Sequence, residues 1–226
     1  MNKPIIYTFI KWSVRFVLFF FSLIFIILLL TKWINPPITT VILSESISLD
    51  QKVNQEWRTI DKIGKNVILT VLASEDSNFC THNGFDLNEI FRAKEKGFSR
   101  GASTISQQVS KNLILWRERS WFRKGLEALI TIMIETLWSK KRILEIYLNI
   151  AETGNGYFGI QAISNSLFKK NSYDLTLKEA SYIAVTLPNP KKRNAKKLSI
   201  NLKKRAESVR NGANTLKLDG RASCVL

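Results

Sequence analysis

The chain has 226 residues, of which 45% are hydrophobic; that is enough for one soluble domain with a real core plus an anchor, and it excludes global disorder. A formal net charge of +16 points to an anionic partner, which by composition alone is a nucleic acid, an anionic lipid head group or a pyrophosphate. The excess sits at the ends: residues 1–33 carry 4 basic residues and no acid, residues 188–226 carry 11 basic against 2 acidic, and the middle carries 19 against 16.

Phe16–Thr31 reads FVLFFFSLIFIILLLT, without a charge, between Trp12 and Trp33. Residues 12–33 are long enough to cross a bilayer as a helix, with the tryptophans at the interfaces and Arg15 able to snorkel. Asn35-Pro36-Pro37 follows instead of a small-x-small cleavage site, so the span reads as a retained transmembrane helix rather than a signal peptide. Lys3, Lys11 and Arg15 precede it and Lys32 follows it closely. This places residues 1–11 in the cytoplasm and the rest outside, which argues against a nucleic-acid partner. Cys80 and Cys224 could pair in an oxidising compartment, but they show neither a disulfide framework nor a metal-ligand spacing, and two free thiols are the preferred reading.

Residues 34–66 read as a juxtamembrane segment: Pro36-Pro37 stops the membrane helix and no long period follows. The apolar run Val67–Ser74 ends at Glu75-Asp76. Helices are expected over Asp86–Lys96, from a cap at Ser103 or Thr104 to about Leu115, over Ser120–Trp138 as the central helix, over Lys140–Ile150 behind Ser139, and over Ile160–Phe168. Arg100-Gly101-Ala102 is a turn, and Gly154, Gly156 and Gly159 mark a loop. Thr176-Leu177-Lys178-Glu179 fits a capping box before a helix that Pro188-Asn189-Pro190 ends. Strand signals are scarce. The fold class is therefore mainly α, with one domain over 67–197 and a basic tail over 198–226.

Three constellations can carry chemistry. Glu75, Asp76, His82 and Asp86 gather three carboxylates and the single histidine at the end of an apolar helix, where partial desolvation lifts a carboxylate toward proton-transfer range; solvated acids on a surface helix end are the alternative. With no second histidine, a multi-histidine metal site is excluded. Thr104, Gln108 and Lys111 share one helix face beside the apolar stripe Ile105, Val109 and Leu113; they suit phosphate and sugar hydroxyls, or belong to an ordinary amphipathic helix. Arg123 and Glu127, four apart and next to Lys124, are either a surface ion pair or a grip for a pyrophosphate.

Together these segments resemble the peptidoglycan glycosyltransferases (glycosyltransferase family 51). The resemblance runs from about Trp33 to Lys197 through five motifs in order. Glu75, Asp76, Phe79, His82, Gly84 and Asp86 match the first, and Gly101-Ala102-Ser103-Thr104-Ile105-Ser106-Gln107-Gln108 with Lys111-Asn112 the second. Arg123, Lys124 and Glu127 match the third, Ser139-Lys140 through Glu145, Tyr147 and Asn149 the fourth, and Gly156–Ile160 the fifth. The chain ends soon afterwards, and Asn149–Gly154 is similar to the monofunctional biosynthetic branch, so no transpeptidase module is expected. Ser106 replaces a usual threonine, Leu167 a frequent aromatic, and the stretch between Arg92 and Gly101 is short. The end Cys224-Val225-Leu226 mimics a prenylation box that has no place in such a chain.

The resemblance implies a lysozyme-like helical domain with a membrane-hugging lobe. It implies lipid II as acceptor, a growing glycan strand as donor, and undecaprenyl pyrophosphate as leaving group. Glu75 is the expected base and Glu127 the second acid. Lys111, Arg123 and Lys124 are expected to stabilise the leaving group, with Thr104 and Gln108 orienting phosphate and sugar. Asp76, Phe79, His82, Ser103, Gln107 and Asn112 complete the expected substrate site. No protein-held metal is expected, and a divalent cation such as Mg2+ at the pyrophosphate is left open. Further expectations are the bacterial inner membrane with the domain on its outer side, contact with membrane lipids, and other cell-wall synthesis proteins as partners. The rival readings are a lysozyme-like hydrolase and a non-catalytic scaffold.

Overall fold

The computed structural model describes residues 3–95, 97 and 101–226, with side chains from Ile6 onward. Lys96 and Arg100, which the expected fourth-helix end and turn include, lie outside them. The chain divides into two units, Met1–Pro36 and Pro37–Leu226.

The first unit is the helix α1 (Lys3–Thr31). Its stretch Ile6–Thr31 is long and apolar enough to cross a membrane and fits a single-pass anchor. It begins well before Trp12, because Ile6, Phe9 and Ile10 continue the apolar pattern toward the N-terminus. Arg15 stands 5.2 Å from the Trp12 ring, a cation–π contact suited to the interface.

In the second unit the juxtamembrane stretch is more ordered than its sequence suggests. Thr39 caps α2 (Thr40–Leu49) by accepting from the Ile42 N–H, and Val41 and Ile42 are buried against Phe158. Serines at 44, 46 and 48 interrupt the apolar stripe, which hides this ten-residue helix from a periodicity reading. Past β1 (Asn54–Gln55), the backbone is fastened to α7 (Lys140–Ile150). Asn149 Oδ1 accepts from the Arg58 N–H at 2.7 Å, its Nδ2 donates to the Arg58 carbonyl at 2.8 Å, and Glu145 Oε2 accepts from the Ile60 N–H at 2.9 Å. The fourth motif thus supplies brackets for the entry segment.

The helices α3 (Lys65–Glu75), α4 (Leu87–Glu95), α5 (Ile105–Ile114), α6 (Trp121–Leu137), α8 (Ile160–Phe168) and α9 (Leu177–Ala184) follow the expected segments closely. The expected capping box forms at Thr176/Glu179, and Thr104, one of the two expected caps of α5, forms a second box with Gln107. The central helix is α7, whose Ile143, Leu144, Ile146, Leu148 and Ile150 are fully buried, and not α6. Apolar residues encircle α6, but only the stripe through Arg123, Glu127, Ile130, Thr131 and Ile134 faces inward; Trp121, Phe122, Leu129 and Ile132 are exposed. The glycine cluster is a hairpin rather than a loop: β2 (Glu152–Gly154) pairs antiparallel with β3 (Tyr157–Phe158), which also carries β1 in parallel. Gly159 adopts φ 78°, and a Cβ there would lie 2.8 Å from the Asn149 carbonyl oxygen.

Residues 198–226 are not a loose tail. Ser199 caps α10 (Ile200–Leu218), which buries Ala206, Val209, Ala213 and Leu216 and packs along α3 and α9. Its wide polar face leaves one thin apolar stripe, so composition alone reads as solvated. The expectation of free thiols is also corrected: Cys80 and Cys224 form a disulfide across 144 residues. Closing a loop that long restricts the unfolded chain by about 5 kcal/mol in the chain-entropy picture.

Candidate active site

Glu75 ends α3, an almost wholly buried helix, so its carboxylate emerges among apolar side chains. Burial pushes its pKa above the ordinary carboxylate value; hydrogen bonds from Gln108 and Ser74 and the charge of Arg205 oppose this, and Asp76 adds to it. Gln108 Nε2 donates to Glu75 Oε2 at 3.1 Å, and Gln108 Oε1 accepts from the Tyr147 hydroxyl at 3.3 Å. Burial, with the charges of Glu75 and Asp76, holds the Tyr147 phenol well above its usual range, so it remains a donor.

Asp76 performs a different task one residue on. It is buried and accepts from the Ile105 N–H at 2.9 Å, closing the first turn of α5. It also receives His82 Nε2 at 2.9 Å. The Gly84 N–H donates to His82 Nδ1 at 3.1 Å, so Nδ1 is the acceptor and Nε2 carries the proton toward Asp76. Thr104 Oγ1 donates to the Gly84 carbonyl at 2.6 Å. Gly84 has φ 89°, and a Cβ there would stand 2.7 Å from Thr131 Cγ2. The first motif is therefore mostly a loop brace. Phe79 belongs to the core, with Lys140 Nζ 4.6 Å over its ring.

The cationic side lies on α5 and α6. Glu127 is buried and receives Arg123 Nη1 at 2.7 Å on one oxygen and Lys124 Nζ on the other. The Arg123–Glu127 pair is interior, not a surface pair. Lys111 is depressed below the ordinary lysine range chiefly by burial, with Glu127 opposing and Arg123, Arg117 and Lys124 adding to the shift. Lys124 Nζ also reaches Ser103 Oγ at 3.3 Å.

One cavity is lined by Glu75 itself and a second by its partner Gln108. The first, about 130 Å3, is lined by Glu75, Asp76, Ser103 and Thr104. The other, about 200 Å3, is lined by Gln108, Lys111, Asn112, Tyr147, Arg117 and Glu152 among others. Of the sequence-predicted residues, Gln108, Lys111 and Asn112 thus line one cavity, Gln108 links it to Glu75, and Arg123 and Lys124 meet on Glu127. Gln107 is spent on the capping box and Thr104 on the cap and Gly84. Sequence reading missed Tyr147 as a site group and a buried charge network: Glu45 Oε2 holds Lys191 at 2.7 Å and Arg117 at 3.1 Å, and Arg117 also reaches Glu152 at 3.1 Å. The Glu152 position inside the Asn149–Gly154 match was the available signal; Glu45 and Lys191 carried none.

Comparison with known proteins fits this geometry. A family model described as Transglycosylase matches residues 42–214. A biosynthetic peptidoglycan transglycosylase of Mannheimia succiniciproducens is 41% identical over 97% of this chain and 94% of its own length. Proteins of the same description from a Jannaschia species and from Pseudomonas syringae are each 43% identical, over 84% and 82% of this chain and 79% and 82% of their own lengths. The mainly α domain is accordingly lysozyme-like, and the chain belongs to the transglycosylase family.

Proposed function

We infer that the protein is a peptidoglycan glycosyltransferase that polymerises lipid II into β-1,4-linked glycan strands. The observation that carries this is Gln108: it bonds the desolvated Glu75 carboxylate and lines the same cavity as Lys111, joining a proton acceptor to a cationic wall. The 4-hydroxyl of the incoming lipid II attacks the anomeric carbon of the strand. Glu75 takes the hydroxyl proton as the new C–O bond forms, and the bond to undecaprenyl pyrophosphate breaks with inversion. Lys111, Arg123 and Lys124 receive the departing charge, and Glu127 holds the last two in place.

No group of three or more histidine, cysteine or acidic side chains placed to hold a metal ion occurs among the described residues, and both Glu127 oxygens are already engaged by cations. A Mg2+ ion would arrive with the phosphates, and no step is assigned to it.

Three features support a location at the outer side of the bacterial inner membrane. The apolar helix fits an anchor, the short-range charges place its N-terminus inside, and the Cys80–Cys224 bond suits an oxidising compartment. Exposed Trp121 and Phe122 adjoin Arg123 and Lys124, which suits an interface where a lipid tail and its phosphate meet. Labelled lipid II with the detergent-solubilised full chain tests the reaction. Long glycan from the wild type and none from Glu75→Gln is expected; shortening of preformed glycan, or polymer from the variant, overturns the reading.

A further inference from the structure

The loop that follows Glu75 is gripped from two sides. The α5 side supplies the Ile105 N–H on Asp76 and the Thr104 hydroxyl on the Gly84 carbonyl. Lys140 Nζ adds a bond of 2.6 Å to the His82 carbonyl. The opposite side is the C-terminal segment, which the chemistry proposed above does not use. α10 passes close enough to α3 that a Cβ on Gly212 would lie 3.3 Å from Ala73 Cβ, two residues before Glu75. From the same helix Arg205 acts on the Glu75 carboxylate. The chain then turns back after α10 with Ala222 and Val225 buried. Arg221 Nη1 donates to Asn78 Oδ1 at 3.4 Å, and Cys224 is bonded to Cys80. Both attachments fall on the loop between Glu75 and His82, and only one of them is covalent.

We propose that residues 219–226, tied to the loop 76–86 by the Cys80–Cys224 bond, are a positioning element that keeps Glu75 desolvated and aimed, so that turnover depends on the oxidised bond. This rests on Glu75 being the base. Cys224 is exposed and Cys80 half-buried, so a dithiol can reach the bond. One thiolate of the reductant attacks Cys224 Sγ and displaces the Cys80 thiolate. The second thiol resolves the mixed disulfide. The reductant leaves as its own disulfide, and two electrons and two protons pass to the cysteines. The loop then retains its α5 bonds and loses its covalent partner. Water enters beside Glu75, whose charged neighbours are Asp76 and Arg205, with the Tyr147 hydroxyl behind Gln108.

The test uses the full chain in detergent: wild type before and after dithiothreitol, wild type reoxidised, Cys224→Ser, and Glu75→Gln alongside. Polymerisation of labelled lipid II is read as kcat, KM and the acid limb of the pH–rate profile, well below the melting temperature. A loosened base loses roughly 10-fold or more in kcat. KM stays nearly constant, the acid limb moves to lower pH as Glu75 is hydrated, and reoxidation restores all three. Unchanged kcat and acid limb with a lower Tm would make the bond a stability staple and overturn the proposal. So would loss of the helical signal together with the activity in both the reduced and the Cys224→Ser protein. An inactive Glu75→Gln beside a fully active reduced enzyme sinks the positioning role alone, whereas an active Glu75→Gln removes the base reading beneath it.

Discussion

Two glutamates face the interior of this domain in opposite surroundings. Glu75 meets neutral partners, an amide from Gln108 and a hydroxyl from Ser74, and burial drives its pKa up. Glu127 is more deeply set and has one cation on each oxygen. A carboxylate held by neutral donors can take a proton at modest cost, whereas one with a cation on each oxygen holds those cations still. Sequence spacing sets Glu75 at a helix end and Glu127 on a helix face four residues from Arg123; the difference in their surroundings comes from what the neighbouring side chains bring to them. The same reaction needs both kinds, one to move a proton and one to fix a positive wall.

Glu75→Gln breaks the comparison most sharply. It keeps the shape and the acceptor for Gln108 but removes the base. Initial polymerisation rates should fall by roughly 10²–10⁴-fold, the usual range for a general base, with circular dichroism unchanged. Glu127→Gln strikes the other member and should show first in stability. Arg123 would be left buried without its counter-charge, at about 3–5 kcal/mol by the behaviour of broken interior pairs. Denaturant titration reads that loss. A midpoint shift under a few tenths of a kcal/mol would mean that solvent already reaches the pair.

Asn149→Ala serves as a contrast for both, since Asn149 is a motif residue that touches neither cavity. Its side chain accepts from the Arg58 N–H and donates to the Arg58 and Glu145 carbonyls. Removing it leaves buried backbone groups unpaired, at about 1–3 kcal/mol each. Melting should drop while kcat of the folded protein holds. A kcat loss at constant stability would place Asn149 in the site after all.

How much of this was legible follows from range. Local signals were read correctly where one turn decides the structure: a cap at Thr104, the box of Thr176 with Glu179, and Ser139 before α7. The site residues were legible as a set, through motif order, but not by task. Nothing in the spacing says that Asp76 closes α5 and braces His82 while its neighbour Glu75 stays open to a cavity. What failed were pairings across long separations. Cys80 and Cys224 are 144 residues apart, Glu45 meets Lys191 from the far end of the chain, and α10 buries a stripe too thin for its composition to show. Such contacts depend on how helices pack, which local periodicity does not encode.

The smallest expected effect tests the surroundings of Glu75 by pH. The folded-state pKa of Glu75 lies above its ordinary value near 4.5, so between those two points the native protein binds more protons than the unfolded chain. Stability therefore falls as pH rises through that window, and above it the ionised Glu75 is a net cost to the fold. Glu75→Gln removes the cost while keeping the Gln108 contact. At pH 7 the variant should melt slightly higher than wild type, and the gap should close as pH drops toward 4.5. Taking the difference between the two proteins cancels every other titrating group. A gap of the opposite sign, widening toward neutral pH, would mean that its partners hold the charged form of Glu75, and the division of labour between the two carboxylates would fall.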